Sequence, residues 1–216
     1  MKIVEADGFE FRFEDALDAF VFDETDSTKP TFHGAPMKGV DIVAEFAEAY
    51  VYVELKDYDD PSIYDVLGAA TEDETNSRQA SFKWLKNYLK YKFRDSYLYR
   101  HAEQKVDKPV HYVCLITFDN ALNSRMQKSL KQELPVGKAS RRWVQALATS
   151  CHVVNLDKWN ENFPKWHVHS VKHGRTPGYV VLSDSGPRTR ASADIPGASM
   201  FGCPTWGAEV ATAGAG

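Results

Sequence analysis

The stretch Val51-Tyr-Val-Glu-Leu-Lys-Asp57, VYVELKD, places a glutamate and a lysine two residues apart in an otherwise apolar, β-branched run. Val, Tyr, Val and Leu in succession predict a strand. Side chains alternate along a strand, so Tyr52, Glu54 and Lys56 share one face and Val51, Val53 and Leu55 share the other. The second face belongs to a core. For the first face two readings compete. In a half-exposed strand the two charges point into water. In a central strand a buried carboxylate must be paired or must hold a metal.

The preceding run, Gly39 to Phe46 (GVDIVAEF), is also apolar, and Ala47-Glu48-Ala49 joins the two, which predicts a hairpin. With the turn centred between Ala47 and Glu48, Phe46 faces Ala49 and Asp41 falls opposite Glu54. Directly opposed residues have Cβ atoms ~5 Å apart. Two carboxylates that close repel each other. A divalent cation between them removes the repulsion and takes both as ligands. Mg²⁺ favours such oxygen ligands, with its other positions left to water and phosphate.

Asp41, a gap of about a dozen residues, then Glu54-Leu55-Lys56 on an adjacent strand resembles the PD-(D/E)XK nuclease superfamily, which includes many restriction enzymes, junction resolvases and phage-type exonucleases. Val40 stands where the family name has Pro, a residue often missing in the superfamily. The resemblance covers residues 9 to 157. It implies an α/β fold with a restriction-endonuclease-like αβββαβ core, a central mixed sheet flanked by helices. It also implies a Mg²⁺-dependent hydrolase of phosphodiester bonds, with Mn²⁺ as a substitute ion. Asp41, Glu54 and the Leu55 carbonyl would hold the metal, and Asp41, Glu54 and Lys56 would be catalytic. DNA, duplex or branched, is the implied substrate, and a homodimer or a larger protein complex the implied assembly. The alternative is a catalytically inactive nucleic-acid-binding or regulatory module that keeps the fold.

At 216 residues and 43% hydrophobic content the chain suits one domain with an ample core. We place that domain at residues 1–182. Residues 183–216, rich in Gly, Ala, Ser and Pro, are expected to form a poorly ordered tail. A net charge of −4 gives no general pull toward nucleic acid, so any DNA contact must come from a local patch. The three cysteines form no disulfide framework and no zinc spacing. No run has the length of a membrane span, and the N-terminus lacks the sections of a secretory signal. A cytoplasmic setting is the expectation. No Ser-His-Asp order, nucleophile elbow or phosphate-cradling glycine loop occurs.

Along the chain, Phe9–Phe13 reads as a strand and Glu14–Phe22 as a short helix. A Pro/Gly loop leads to the Asp41 hairpin, and an acidic, turn-rich loop with a helical turn around Pro61–Leu67 follows it. The clearest helix runs through residues 78–104, with Phe82, Leu85, Leu89 and Phe93 on one face. Residues 109–118 read as a buried strand. Residues 120–135 read as an amphipathic helix ended by Pro135, and 138–150 as a further helix. Strands are expected at 151–159, 165–173 and 178–182.

Gln79, Lys83, Lys90 and Arg94, with Lys86 beside them, form a polar and basic face of the long helix. This face is a candidate phosphate-backbone contact, weighed against an ordinary solvated surface. Many superfamily members also use an acid from the first helix. Glu10, Glu14, Asp15, Asp18 and Asp23 are available, and Glu14 is the chosen candidate. His167 and His169 share a strand face but lack an evident third metal ligand, so they are read, with His173, as ordinary polar residues.

Overall fold

The computed structural model describes residues 1–57, 74–138 and 140–171, with the backbone alone for 74–81. The expected turn at Pro61–Leu67, the strand at 178–182, His173 and the tail at 183–216 lie outside the described residues. So does the boundary at 182 between domain and tail.

The chain opens with a hairpin. β1 (Lys2–Ala6) and β2 (Phe9–Phe13) pair antiparallel around Asp7-Gly8. Both turn residues have positive φ, 50° and 80°. A two-residue turn matched to strand twist needs that conformation, and Asp-Gly supplies it at little steric cost. β2 is bordered on its other side by β8 (Trp166–Ser170), which completes a three-stranded sheet in the order β1-β2-β8.

The main sheet has five strands in the order β3-β4-β5-β6-β7. β3 (Asp18–Val21), β4 (Ile42–Glu45) and β5 (Tyr50–Lys56) are antiparallel, and β6 (Val110–Ile116) and β7 (Ser150–Val154) run parallel to β5. Parallel neighbours need a crossover. α1 (Glu74–Ala102) lies between β5 and β6, and α2 (Asn120–Glu133) between β6 and β7. Asp119 caps α2, its side chain accepting from the Leu122 N–H. A short α3 (Leu156–Asn162) follows β7.

Each face of the main sheet has its own core. On one side Tyr50 and Tyr52 pack with Leu85, Leu89 and Phe93 of α1 and Met126 and Leu130 of α2. On the other, Val51, Val53 and Leu55 pack with Phe9, Phe11 and Phe13 of β2, Trp159 of α3 and Val168 of β8. β5 is therefore central, buried on both faces, and the half-exposed reading of VYVELKD is excluded. The protein is a mixed α/β structure. Among the described residues no helix is long and apolar enough to cross a membrane.

Two expected helices are strand and loop. The segment Glu14–Phe22 holds β3, not a helix. Asp15 sits at φ 56°, which ends any helical path, and Leu17 N–H donates to the Glu45 carbonyl. Ala19, Phe20 and Val21 then add an edge strand to β4, and pairing outweighs the local helical pattern. The described residues of 138–150 are turns leading into β7. Gly137, at φ 71°, donates to the Ala148 carbonyl, and Val136 bridges Ala148, so the loop closes on itself. The strand expected at 151–159 ends at Val154, where Asn155 caps α3.

His111 on β6 is buried, its Nδ1 2.9 Å from Ser150 Oγ. Burial, with a smaller contribution from His152, pushes its pKa down to about 4. Below the ordinary value of 6.5 the unfolded chain takes up a proton that the folded chain refuses. Stability is therefore full above pH ~6.5 and falls toward pH ~4, by up to about 3 kcal/mol. Urea unfolding at several pH values should show a shallower decline in His111→Gln than in the wild type. Equal slopes would remove His111 as a cause.

Candidate active site

The hairpin register follows from its turn. Phe46 N–H donates to the Ala49 carbonyl, and Glu45 pairs Tyr50, Ala44 pairs Val51, Val43 pairs Tyr52 and Ile42 pairs Val53. One step further sets Asp41 beside Glu54, as the sequence predicts. Asp41 Oδ2 accepts the Leu55 N–H at 2.6 Å, which fixes its carboxylate against β5.

Glu54 is 0% exposed, and neither of its oxygens has a hydrogen-bond partner of good geometry. Lys56 Nζ lies 2.9 Å from Glu54 Oε1 and donates to the Leu55 carbonyl at 2.7 Å. The second cation comes from α1. Lys92, with 5% of its side chain exposed, places Nζ 2.8 Å from Asp23 Oδ2, 3.6 Å from Asp41 Oδ1 and 3.7 Å from Glu54 Oε2. Three carboxylates thus face two ammonium groups. Tyr88 forms one wall, its ring centre 4.6 Å from Lys38 Nζ, 5.0 Å from Lys56 Nζ and 5.5 Å from Lys92 Nζ. Gly39 lets the loop before Asp41 approach, since a Cβ there would stand 3.2 Å from both His33 and Phe22.

Burial, reinforced by the negative charge of Asp41, pushes Glu54 up to about 8, while Lys56 and Lys92 pull it back. Burial also raises Asp41, against the same two lysines and the Leu55 N–H. Burial disfavours both ammonium groups, but Glu54 and Asp41 outweigh it and hold Lys56 and Lys92 well above the usual lysine range. Both lysines are therefore held as cations, matching the acid pair in number, and Asp23 adds a third carboxylate to the cluster. Two converging carboxylates and a main-chain carbonyl are hard oxygen ligands, so the residues fit Mg²⁺ or Mn²⁺, with Lys56 and Lys92 beside them. Among the described residues no group of three or more His, Cys, Asp or Glu is placed to hold a metal ion. Water and a phosphate oxygen would have to fill the remaining positions. His167 and His169 stand apart on β8, with His169 Nε2 3.6 Å from Glu10 Oε1.

The structure brings Asp41, Glu54, Leu55 and Lys56 together. It does not bring Glu14, which is exposed in the turn after β2, its N–H donating to the Lys165 carbonyl. The acid that reaches the cluster is Asp23, just beyond β3. The basic face of α1 points elsewhere. Lys86 and Lys90 bind the Glu133 carboxylate of α2 at 2.7 and 3.0 Å, and Arg94 reaches the Glu133 carbonyl at 3.4 Å. Those lysines draw Glu133 down to about 2. Lys83 is exposed, and the Gln79 side chain lies outside the described residues. At ~100° per residue, Lys90 and Lys92 are ~160° apart around the helix. The residue missed in sequence is Lys92. Its signal was its place beside Phe93, at the border of the apolar face, where a lysine needs a buried partner.

No family model matches the chain, and no curated protein or solved structure matches it significantly.

Proposed function

We propose that this chain is a metal-dependent nuclease of the PD-(D/E)XK type, hydrolysing phosphodiester bonds in DNA. The observation that carries the proposal is the convergence of Asp41, Glu54 and Lys56 at the centre of a mixed sheet. The order β3-β4-β5, α1, β6, α2, β7 also supports a restriction-endonuclease-like core, with the β1-β2-β8 sheet and β3 where the first helix was expected. A cytoplasmic setting, and assembly as a homodimer or within a larger complex, belong to the same proposal.

A Mg²⁺ or Mn²⁺ ion held by Asp41, Glu54 and the Leu55 carbonyl would supply Lewis acidity and acidify a bound water. The chain's own residues do the rest. Asp41 is held rigidly by the Leu55 N–H, so the acid pair is organised in advance. Lys56, an ammonium in the metal-free protein, stands beside the acid pair. It orients the attacking water and neutralises charge developing on phosphoryl oxygens. Lys92 holds Asp41 and Glu54 at one point and ties them to Asp23.

A second reading is favoured by Lys92 itself. Its ammonium already stands near both carboxylates, as it would in an inactive module that keeps the fold for binding or regulation. Calorimetric titration with Mn²⁺ and plasmid nicking, on wild type and on the Asp41→Ala/Glu54→Ala double variant, separate the two. The nuclease reading expects metal binding and metal-dependent nicking that both vanish in the variant. Neither binding nor nicking in the wild type would leave the regulatory module.

A further inference from the structure

The outer face of α1 carries two exposed aromatic rings, Trp84 and Tyr91, beside Tyr88, which packs partly against the core. Trp84, Tyr88 and Tyr91 are spaced i, i+4 and i+7, which confines them to a ~60° arc of the helix. Leu85, Leu89 and Phe93 form the buried arc on another side. Trp84 and Tyr91 are each 48% exposed. Trp84 stacks on Tyr88 with ring centres 5.1 Å apart and planes 19° from parallel. Tyr88 is the ring beside Lys38, Lys56 and Lys92.

The stack therefore runs outward from the acid cluster. Tyr88 lies 5.0 Å from Lys56 Nζ and Trp84 another 5.1 Å beyond, so the indole centre is at most about 10 Å from that ammonium. At a stacked rise of ~3.4 Å, this bound is no more than about three nucleotides along a strand from a phosphate at Lys56. Exposed Lys38, its Nζ 4.6 Å from the Tyr88 ring centre, places positive charge beside the stack. Exposed aromatic faces beside ammonium groups suit a single strand, whose bases are free to stack. A duplex hides its base faces and offers Trp84 nothing to stack on.

We propose that Trp84 is a base-stacking platform, and that the site takes single-stranded DNA or a single-stranded flap or end in preference to continuous duplex. This rests on the nuclease reading and adds the substrate class to it. Lys38 would meet the backbone between the scissile phosphate and the stacked base. Leu98, 59% exposed further along α1, is a control for general surface hydrophobicity.

The test is fluorescence anisotropy of the full chain in EDTA, with a labelled oligo-dT and a labelled continuous two-strand duplex. Trp84→Ala is expected to weaken oligo-dT binding by about ten- to hundredfold, in line with the loss of one stacked base. It should leave duplex binding within about twofold, with Trp84→Phe close to wild type and Leu98→Ala unchanged. Equal weakening of both ligands by Trp84→Ala, or no weakening of oligo-dT, overturns the proposal. If duplex binding persists and oligo-dT binding does not depend on Trp84, the nuclease reading stands and the platform falls. If wild type binds neither oligonucleotide, both fall, and the Trp84–Tyr88 pair is a protein contact.

Discussion

Lys56→Ala is expected to lower the rate of metal-dependent DNA cleavage by on the order of a hundredfold or more, the usual cost of losing one aimed electrostatic stabiliser. Lys56 is placed by β5, held by the Leu55 carbonyl and 18% exposed, so it is both positioned and within reach of a phosphate. The loss should appear in kcat, with little change in DNA affinity, because the ammonium acts on charge that develops in the transition state. Lys56→Arg keeps the charge but replaces a compact ammonium with a planar fork, and should fall between wild type and alanine. Lys56→Ala also leaves Glu54 without its nearest cation, so the urea midpoint must be read alongside the rate. A folded Lys56→Ala protein that cleaves at the wild-type rate would falsify the assignment.

Lys92→Met carries the largest expected effect on stability. Lys92 is 5% exposed and faces Asp23, Asp41 and Glu54 within 3.7 Å. Removing one partner from a buried ion cluster costs ~3–5 kcal/mol, because the remaining charges stay buried without compensation. Methionine fills much the same space, so a cavity contributes little. The cost should be read by urea unfolding in EDTA, and it is large against a typical total of ~5–15 kcal/mol. Adding Glu54→Gln to Lys92→Met should restore a substantial part, because the amide carries no charge to neutralise. That coupling is what a double-mutant cycle measures. A change within about 0.5 kcal/mol for Lys92→Met would place the lysine among ordinary surface residues.

The hairpin of β4 and β5 was legible because its signals are local. Two apolar runs and a short link set the register, and the register set Asp41 beside Glu54. The apolar face of α1 and the uninterrupted β6 were legible for the same reason. β3 was not, since Ala19 to Val21 become a strand only because the edge of β4 offers them hydrogen bonds. Of the acids available near the N-terminus, Asp23 rather than Glu14 reaches the site, a choice made by where β3 ends. The lysines of α1 were grouped by helical phase, yet phase does not say which side meets an acid. Lys86 and Lys90 found Glu133, and Lys92 found the carboxylates.

The pairing of β2 with β8 has a consequence in time. It joins Phe9–Phe13 to Trp166–Ser170, so the partners are separated by most of the described chain. Closing so long a loop carries a large entropy cost, and non-local pairings of this kind slow folding. On the ribosome the first hairpin emerges early and waits for its third strand. Until β8 arrives, Val51, Val53 and Leu55 lack a complete cover on that side of the main sheet. The strand that carries Glu54 and Lys56 thus owes the cover of one face to residues from both ends of the described chain.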